Sequence, residues 1–272
     1  MNIGIIGTGN MGTMLAETLI TSGAAPEEQL WITNRNLQKA ENLRQQYTGV
    51  KVTANVTRLA HECELIFICV RPPQFPDILQ TIRPFLGKED IVVSITSPVT
   101  LQQLEDSVSC KVVRAVPSIT NRSHAGSTLL TYGNKWTVKD KEWFENWLGQ
   151  FSTPHIVSEE AIRVSSDIVC CGPAFFGYLL DEMTKSAERK TELTKEEAER
   201  FAEEMIIGMA SLFSQQLYSL KTLQEKVRVP GGVTGVGLDV LESTEGVFDE
   251  LFTATHEKFE EDQQKLQELF KK

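Results

Sequence analysis

The run Gly7-Thr8-Gly9-Asn10-Met11-Gly12 constrains this chain more than any other feature. It lies directly behind the apolar stretch Asn2–Ile6 and leads into Met11, Met14, Leu15, Thr18 and Leu19 at helical spacing, with Gly23 as a helix stop. A G-x-G-x-x-G in that setting describes a strand, a tight turn and a helix. Gly7 permits the turn, Gly9 lets phosphates approach the backbone, and Gly12 allows the helix to pack closely on the strand. A pyrophosphate would sit at the helix N-terminus, where free N–H groups and the helix dipole favour an anion. The bare string also fits an unrelated glycine-rich turn. Its strand–turn–helix context points to dinucleotide binding through Gly7, Gly9, Asn10, Met11 and Gly12.

The pattern then repeats as an alternation of strands and helices. Leu30–Thr33, Val50–Thr53, Leu65–Val70, Ile91–Ile95, Lys111–Val116 and Ser127–Tyr132 read as strands. Helices are expected around Leu37–Tyr47, Val56–Glu62, Pro76–Phe85 and Leu101–Asp106, and a later one carries Trp143, Phe144, Trp147 and Leu148. Such alternation is the signature of an α/β, doubly wound parallel sheet, the Rossmann arrangement. From Ser158 onward strand-like runs largely vanish. Pro173 opens a helix with Phe175, Phe176, Leu179, Leu180 and Met183 on one face, and Thr194 with Glu197 forms a capping box. A long, mostly buried helix is expected to carry Phe201, Met205, Ile206, Met209, Leu212, Phe213, Leu217 and Leu220, followed by a last helix through Phe248, Leu251, Phe252, Phe259 and Leu266. The expected organisation is a nucleotide-binding domain at 1–158 and an all-helical domain at 159–272.

Charge supports that division. Residues 1–158 carry 14 basic and 14 acidic side chains, and 159–272 carry 13 and 23, so the net charge of -10 lies wholly in the second part. An acidic half repels nucleic-acid backbones and anionic lipid, so neither is an expected partner. The longest apolar run, Leu65–Val70, falls far short of the ~20 residues a spanning helix needs. The N-terminus enters a strand without a basic leader, which sets the expectation of a cytoplasmic protein. Five cysteines at irregular spacings (Cys63, Cys69, Cys110, Cys170, Cys171) fit neither a disulfide framework nor a zinc site, and His61, His124, His155 and His256 lack a ligand spacing. No metal is expected.

Cofactor choice is read at the end of the second strand, where NAD-binding chains place a carboxylate for the ribose 2′-OH. Here the segment is Thr33-Asn34-Arg35-Asn36, without an acid. An arginine can pair with a 2′-phosphate through two hydrogen bonds, so NADP(H) is favoured over a reading of Arg35 as a solvated loop residue. Between the helices of the second half, Pro230-Gly231-Gly232-Val233-Thr234-Gly235 leaves two readings open: an ordinary interhelical turn, or a small anion site for a carboxylate with the Thr234 hydroxyl beside it.

These residues resemble the pyrroline-5-carboxylate reductases over essentially the whole chain. The likeness rests on Gly4 through Gly12, Asn34-Arg35, Asn55-Val56, Val70-Arg71-Pro72-Pro73-Gln74, Arg114 with Pro117, Gly172-Pro173-Ala174, Pro230-Gly231-Gly232-Val233-Thr234 and Leu241-Glu242. The resemblance implies a Rossmann domain binding NADPH and a helical domain intertwined with a second subunit, as a homodimer or a larger assembly of dimers. It places Asn55 at the adenosine ribose and Val70, Arg71 and Pro72 along the cofactor. It makes Gly231, Gly232, Gly235 and Val236 holders of a small-molecule carboxylate, and puts the Thr234 hydroxyl, the catalytic candidate, at the ring nitrogen of a cyclic imine. Cys171 stands at a substrate-side serine position.

The chain departs from the family pattern at four places. Thr96-Ser97-Pro98 replaces Ala-Ala-Gly, and Val116-Pro117-Ser118-Ile119-Thr120 replaces Met-Pro-Asn-Thr-Pro. Val169-Cys170-Cys171 stands where the family has Ser-Gly-Ser, and Val233 replaces the first threonine after the paired glycines. Such a pattern is similar to the divergent ComER-type subgroup. The expected activity is reduction of 1-pyrroline-5-carboxylate to proline. Its rivals are an oxidoreductase on another imine or a hydroxy acid, and an NADPH-binding regulatory paralogue with little turnover. The lysine segment G-x-x-x-K-x-x-x-N of the β-hydroxyacid dehydrogenases is missing between Ile168 and Lys185, which counts against alcohol oxidation.

Overall fold

The computed structural model of the protein describes residues 1–271. Two compact units are present: Met1–Pro173 together with the chain from Thr255 onward, and Ala174–Ala254.

The first unit is built on a sheet of β1 (Ile3–Ile6), β2 (Leu30–Thr33), β3 (Lys51–Val52), β4 (Leu65–Ile68), β5 (Ile91–Ser94), β6 (Lys111–Pro117), β7 (Ser127–Tyr132) and β8 (Thr153–Ile156). Their order is β3-β2-β1-β4-β5-β6-β7-β8. Strands β1 to β6 are mutually parallel, in register Ile3↔Leu30 and Ile3↔Leu65; β7 joins antiparallel to β6, and β8 runs parallel to β7. The connecting helices are α1 (Asn10–Thr21), α2 (Leu37–Gln46), α3 (Val56–Glu62), α4 (Phe75–Ile82), α5 (Leu101–Ser107), α6 (Val138–Leu148) and α7 (Ile162–Ser166). Because β1 lies between β2 and β4, the strand order reverses there, and ligands of such sheets bind beyond the carboxyl ends of the strands at that point.

Both faces of β1, β2, β4 and β5 are covered, so these strands are buried throughout rather than alternating. In β4, Leu65 and Phe67 enter a core with Ile5, Leu15, Leu19, Ile32, Phe144 and Trp147, while Ile66 and Ile68 enter the opposite core with Leu59, Phe75, Leu79 and Leu104. Fully burying one such side chain contributes roughly 1.5–3 kcal/mol. The Trp136 and Trp147 indoles donate to the carbonyls of Val112 and Ala24 at 2.7 and 3.0 Å. Strand β8 is an addition to the sequence reading. Pro154 and three exposed or half-exposed neighbours give no alternation, and the segment is extended because β7 offers it a partner.

Helices α8 (Gly172–Lys190), α9 (Lys195–Ser214), α10 (Leu220–Val227), α11 (Val233–Glu242) and α12 (Val247–Phe270) complete the chain. The Thr194–Glu197 capping box is present, with Thr194 Oγ1 accepting from Glu197 N at 3.3 Å and Glu197 Oε2 accepting from Thr194 N at 3.0 Å. The expected single helix from Phe201 to Leu220 is corrected. Helix α9 stops at Ser214, Gln216 turns into the left-handed region (φ 56°), and Ser219 caps a new helix by accepting from Thr222 N. Nor is its stripe buried within one chain: Phe201 is 50% exposed, Leu217 59% and Leu220 69%. Helical spacing shows that a face is apolar, not what covers it.

Candidate active site

The glycine loop follows β1 and opens α1 at the carboxyl edge of the sheet. Gly7 has φ 102°, and a Cβ on it would lie 2.6 Å from the Cys69 carbonyl oxygen. A Cβ on Gly12 would lie 1.9 Å from the Gly7 oxygen. Neither position accepts a side chain, because backbone atoms would have to yield. Gly9 is different. Its conformation is ordinary and extended, it caps α1 without a side chain, and a Cβ on it would meet nothing within 4 Å. A cradle is thus left in front of the first turn of α1, whose N–H groups lack intrahelical partners. That is the shape a pyrophosphate requires, so the residues present fit a dinucleotide.

The other cofactor candidates line the same edge. Asn34 and Arg35 follow β2, and Asn34 Nδ2 donates to the Asn36 carbonyl at 3.0 Å. Arg35 and Arg71 are exposed, and among the described residues neither makes an ion pair. Val70, Arg71 and Pro72 lie between β4 and a short helical turn at Pro72–Gln74. Asn55 caps α3, its Oδ1 accepting from Thr57 N at 2.9 Å and Arg58 N at 3.3 Å, which leaves its amide nitrogen as the group available to a ligand. Beside Gly9 and Asn10 a cavity of about 550 Å³ runs between α1 and α2, and Lys39, Asn42 and Arg122 reach into it. Lys39, in the first turn of α2, is a cation at this cavity that no sequence motif marks.

In the helical unit, Gly231 takes φ 71° and Gly232 is the N-cap of α11, with no side-chain cap. Thr234 is therefore inside the first turn and is not the residue that caps α11. Its hydroxyl makes no hydrogen bond among the described residues, and it is half-buried beside Gly235. Arg228 holds the preceding loop on α11 through Asp239 and through Glu242 at 3.1 Å. Gly231, Gly232, Thr234, Gly235 and Val236 thus lie together at the start of α11.

Cys171, the remaining candidate, belongs to the first unit. It ends a π-helical segment, Asp167–Cys171, and its thiol lies 3.6 Å from Arg163 Nη2. Cys170 and Cys171 are free and half-buried rather than fully buried; burial pushes the Cys170 thiol up to about 12 and raises that of Cys171. Burial likewise lowers the Arg114 pKa, which the nearby Glu159 partly restores. The sequence reading missed the Arg163–Asp167 pair, because i,i+4 charges are usually a solvated helix face.

Comparison with known proteins gives the family of the chain. Residues 2–98 match the family described as NADP oxidoreductase, coenzyme F420-dependent, and residues 159–262 match pyrroline-5-carboxylate reductase dimerisation. The chain is 44% identical over 263 residues to ComE operon protein 4 of Bacillus subtilis (strain 168), covering 96% of each chain. It is 31% identical to pyrroline-5-carboxylate reductase 3 of the same organism, covering 95% of each. The Plasmodium falciparum pyrroline carboxylate reductase, solved with NADP bound, shares the fold with a TM-score of 0.81 at 21% identity, over 99% of this chain and 98% of that one. By its identity to such a reductase along nearly its whole length, the chain belongs to the pyrroline-5-carboxylate reductase family.

Proposed function

We propose that the protein reduces 1-pyrroline-5-carboxylate to proline with NADPH. The observation that carries this reading is the first turn of α11. There a threonine hydroxyl without a partner stands among backbone N–H groups, the set of donors and acceptors that a ring nitrogen next to a carboxylate requires.

The chemistry that NADPH supplies when bound is a hydride for the imine carbon. Gly9 leaves room for the pyrophosphate at α1, and Asn10, Met11 and Gly12 offer N–H groups to it. Arg35, with Asn34, pairs with the 2′-phosphate; Asn55 offers its amide nitrogen to the ribose, and Val70–Pro72 flank the groove. Gly231, Gly232, Gly235 and Val236 hold the carboxylate through the backbone. A cyclic imine takes up its proton in solution, so Thr234 Oγ accepts a hydrogen bond from the protonated ring nitrogen and orients it rather than acting as a strong acid. The proton stays on the ring nitrogen throughout, so Thr234 would neither give nor take one.

The open apolar face of α9 and α10 supports a homodimer formed through the helical half. The division at 1–158 and 159–272 is proposed as the functional one, the first part serving the cofactor and the second the carboxylate. A cytoplasmic location is part of the same reading. A second reading, an NADPH-binding regulator with little turnover, is favoured by the 44% identical relative, whose name gives an operon rather than a reaction. Steady-state assay with pyrroline-5-carboxylate beside an NADPH titration decides between the two. Turnover supports the reductase, and tight NADPH binding without turnover on any cyclic imine supports the regulator.

A further inference from the structure

Helix α7 runs into the π-helical segment Asp167–Cys171, a form that often accompanies functional sites. The arrangement brings Asp167 and Cys171 to the same guanidinium. Arg163 Nη2 donates to Asp167 Oδ1 at 2.7 Å and Nε to Oδ2 at 3.3 Å; Nη2 also faces Cys171 Sγ at 3.6 Å, and Nη1 reaches Ser97 Oγ at 3.4 Å. Thr255 Oγ1 donates to Asp167 Oδ2 at 2.8 Å, and Phe259 lies under the guanidinium. Ser97 is gripped from its other side as well, since its carbonyl accepts from Nη1 of the fully buried Arg114 at 3.0 Å. Ser118, the first residue beyond β6, donates to the Val169 carbonyl at 2.8 Å. The π segment is therefore tied to the loops that follow β5 and β6. In a doubly wound sheet those loops border the half of the groove that takes the second nucleotide, here the nicotinamide end.

A buried ion pair is weak evidence for stability, because desolvation cancels much of its attraction. What a bidentate pair gives is direction. We infer that Arg163, anchored on Asp167, is a positioning residue for hydride transfer: its guanidinium sets where Ser97 and Cys171 stand at the nicotinamide end of the groove. The inference rests on the reductase reading above. It adds to that reading a residue that acts through others and touches neither substrate nor cofactor.

Arg163→Lys separates direction from charge. Lysine keeps an ion pair with Asp167 but is a point charge without the planar fork. The variant should melt within about 3 °C of the native protein and bind NADPH within about twofold, while kcat falls about tenfold or more, since small misplacements near the chemistry are costly. The isotope effect with 4-deuterated NADPH should grow. Ser97→Ala should lower kcat in the native background and add little to Arg163→Lys, because both remove the same contact. If Arg163→Lys fails to fold, the double variant Arg163→Met with Asp167→Leu removes both charges and should show the same loss. Folded variants with native kcat and isotope effect would overturn the inference. Should the native protein fail to reduce pyrroline-5-carboxylate, the reductase reading falls, and positioning is read from the emission of bound NADPH. A spectrum altered by Arg163→Lys at equal occupancy supports it, and an unchanged spectrum overturns it.

Discussion

Replacing Gly9 with alanine should separate cofactor binding from folding. The residue sits at φ -78° and ψ -166°, which any amino acid adopts, and its added methyl would meet no atom within 4 Å. Folding should therefore be unharmed. Alanine also restricts the unfolded chain, so a gain of up to about 0.4–1 kcal/mol is expected. The same methyl would fill the cradle in front of the α1 N-terminus and hold an anion away from it. Losing one or two charge-assisted hydrogen bonds, at about 1.5–3 kcal/mol each, raises the NADPH Kd from about tenfold to more than a hundredfold, given about 1.4 kcal/mol per decade. Gly12→Ala is the contrast: its methyl would lie 1.9 Å from the Gly7 oxygen, a backbone atom. Helix α1 would have to leave β1, at a cost of about 3 kcal/mol or more. Thermal melts and NADPH fluorescence titrations on the three proteins test both halves. Native affinity in Gly9→Ala, or destabilisation of Gly9→Ala as large as that of Gly12→Ala, would refute the reasoning.

Thr234→Ala should lower turnover by roughly ten- to a thousandfold with NADPH affinity and melting temperature nearly unchanged, because Thr234 is not the residue that caps α11, while Thr234→Ser keeps much of the rate; full activity in the alanine variant would remove Thr234 from the site. Arg35→Ala should narrow the preference for NADPH over NADH by up to about 1.5–3 kcal/mol, and an equal loss for both cofactors would show that Arg35 does not meet the 2′-phosphate. Burial pushes the thiols of Cys63, Cys110 and Cys170 up to about 12, 11 and 12 from 9.0. They ionise first in the unfolded chain, so the stability they contribute is intact below pH 9 and is lost as pH rises toward 11–12. Urea midpoints at pH 8 and 10 should show this fall, and Cys63→Ala should make it shallower.

The glycine loop, the alternation of strands and helices and the Thr194–Glu197 cap were legible because each is decided by residues within one or two turns of one another. A Cβ clash at Gly12 or a hydroxyl three residues before a glutamate acts whatever the rest of the chain does. Three other features had no such local cause. Strand β8 exists because β7 lies beside it. The break after Ser214 turns on Gln216, a residue type that marks no helix end by itself. The meeting of Arg163 with Ser97 joins residues 66 positions apart. Side-chain chemistry and spacing were enough for the glycine turn, the strands β1 to β7 and the helix cap at Thr194. Only the packed sheet decided which distant side chains share one guanidinium, because such a contact depends on the whole path of the chain between them.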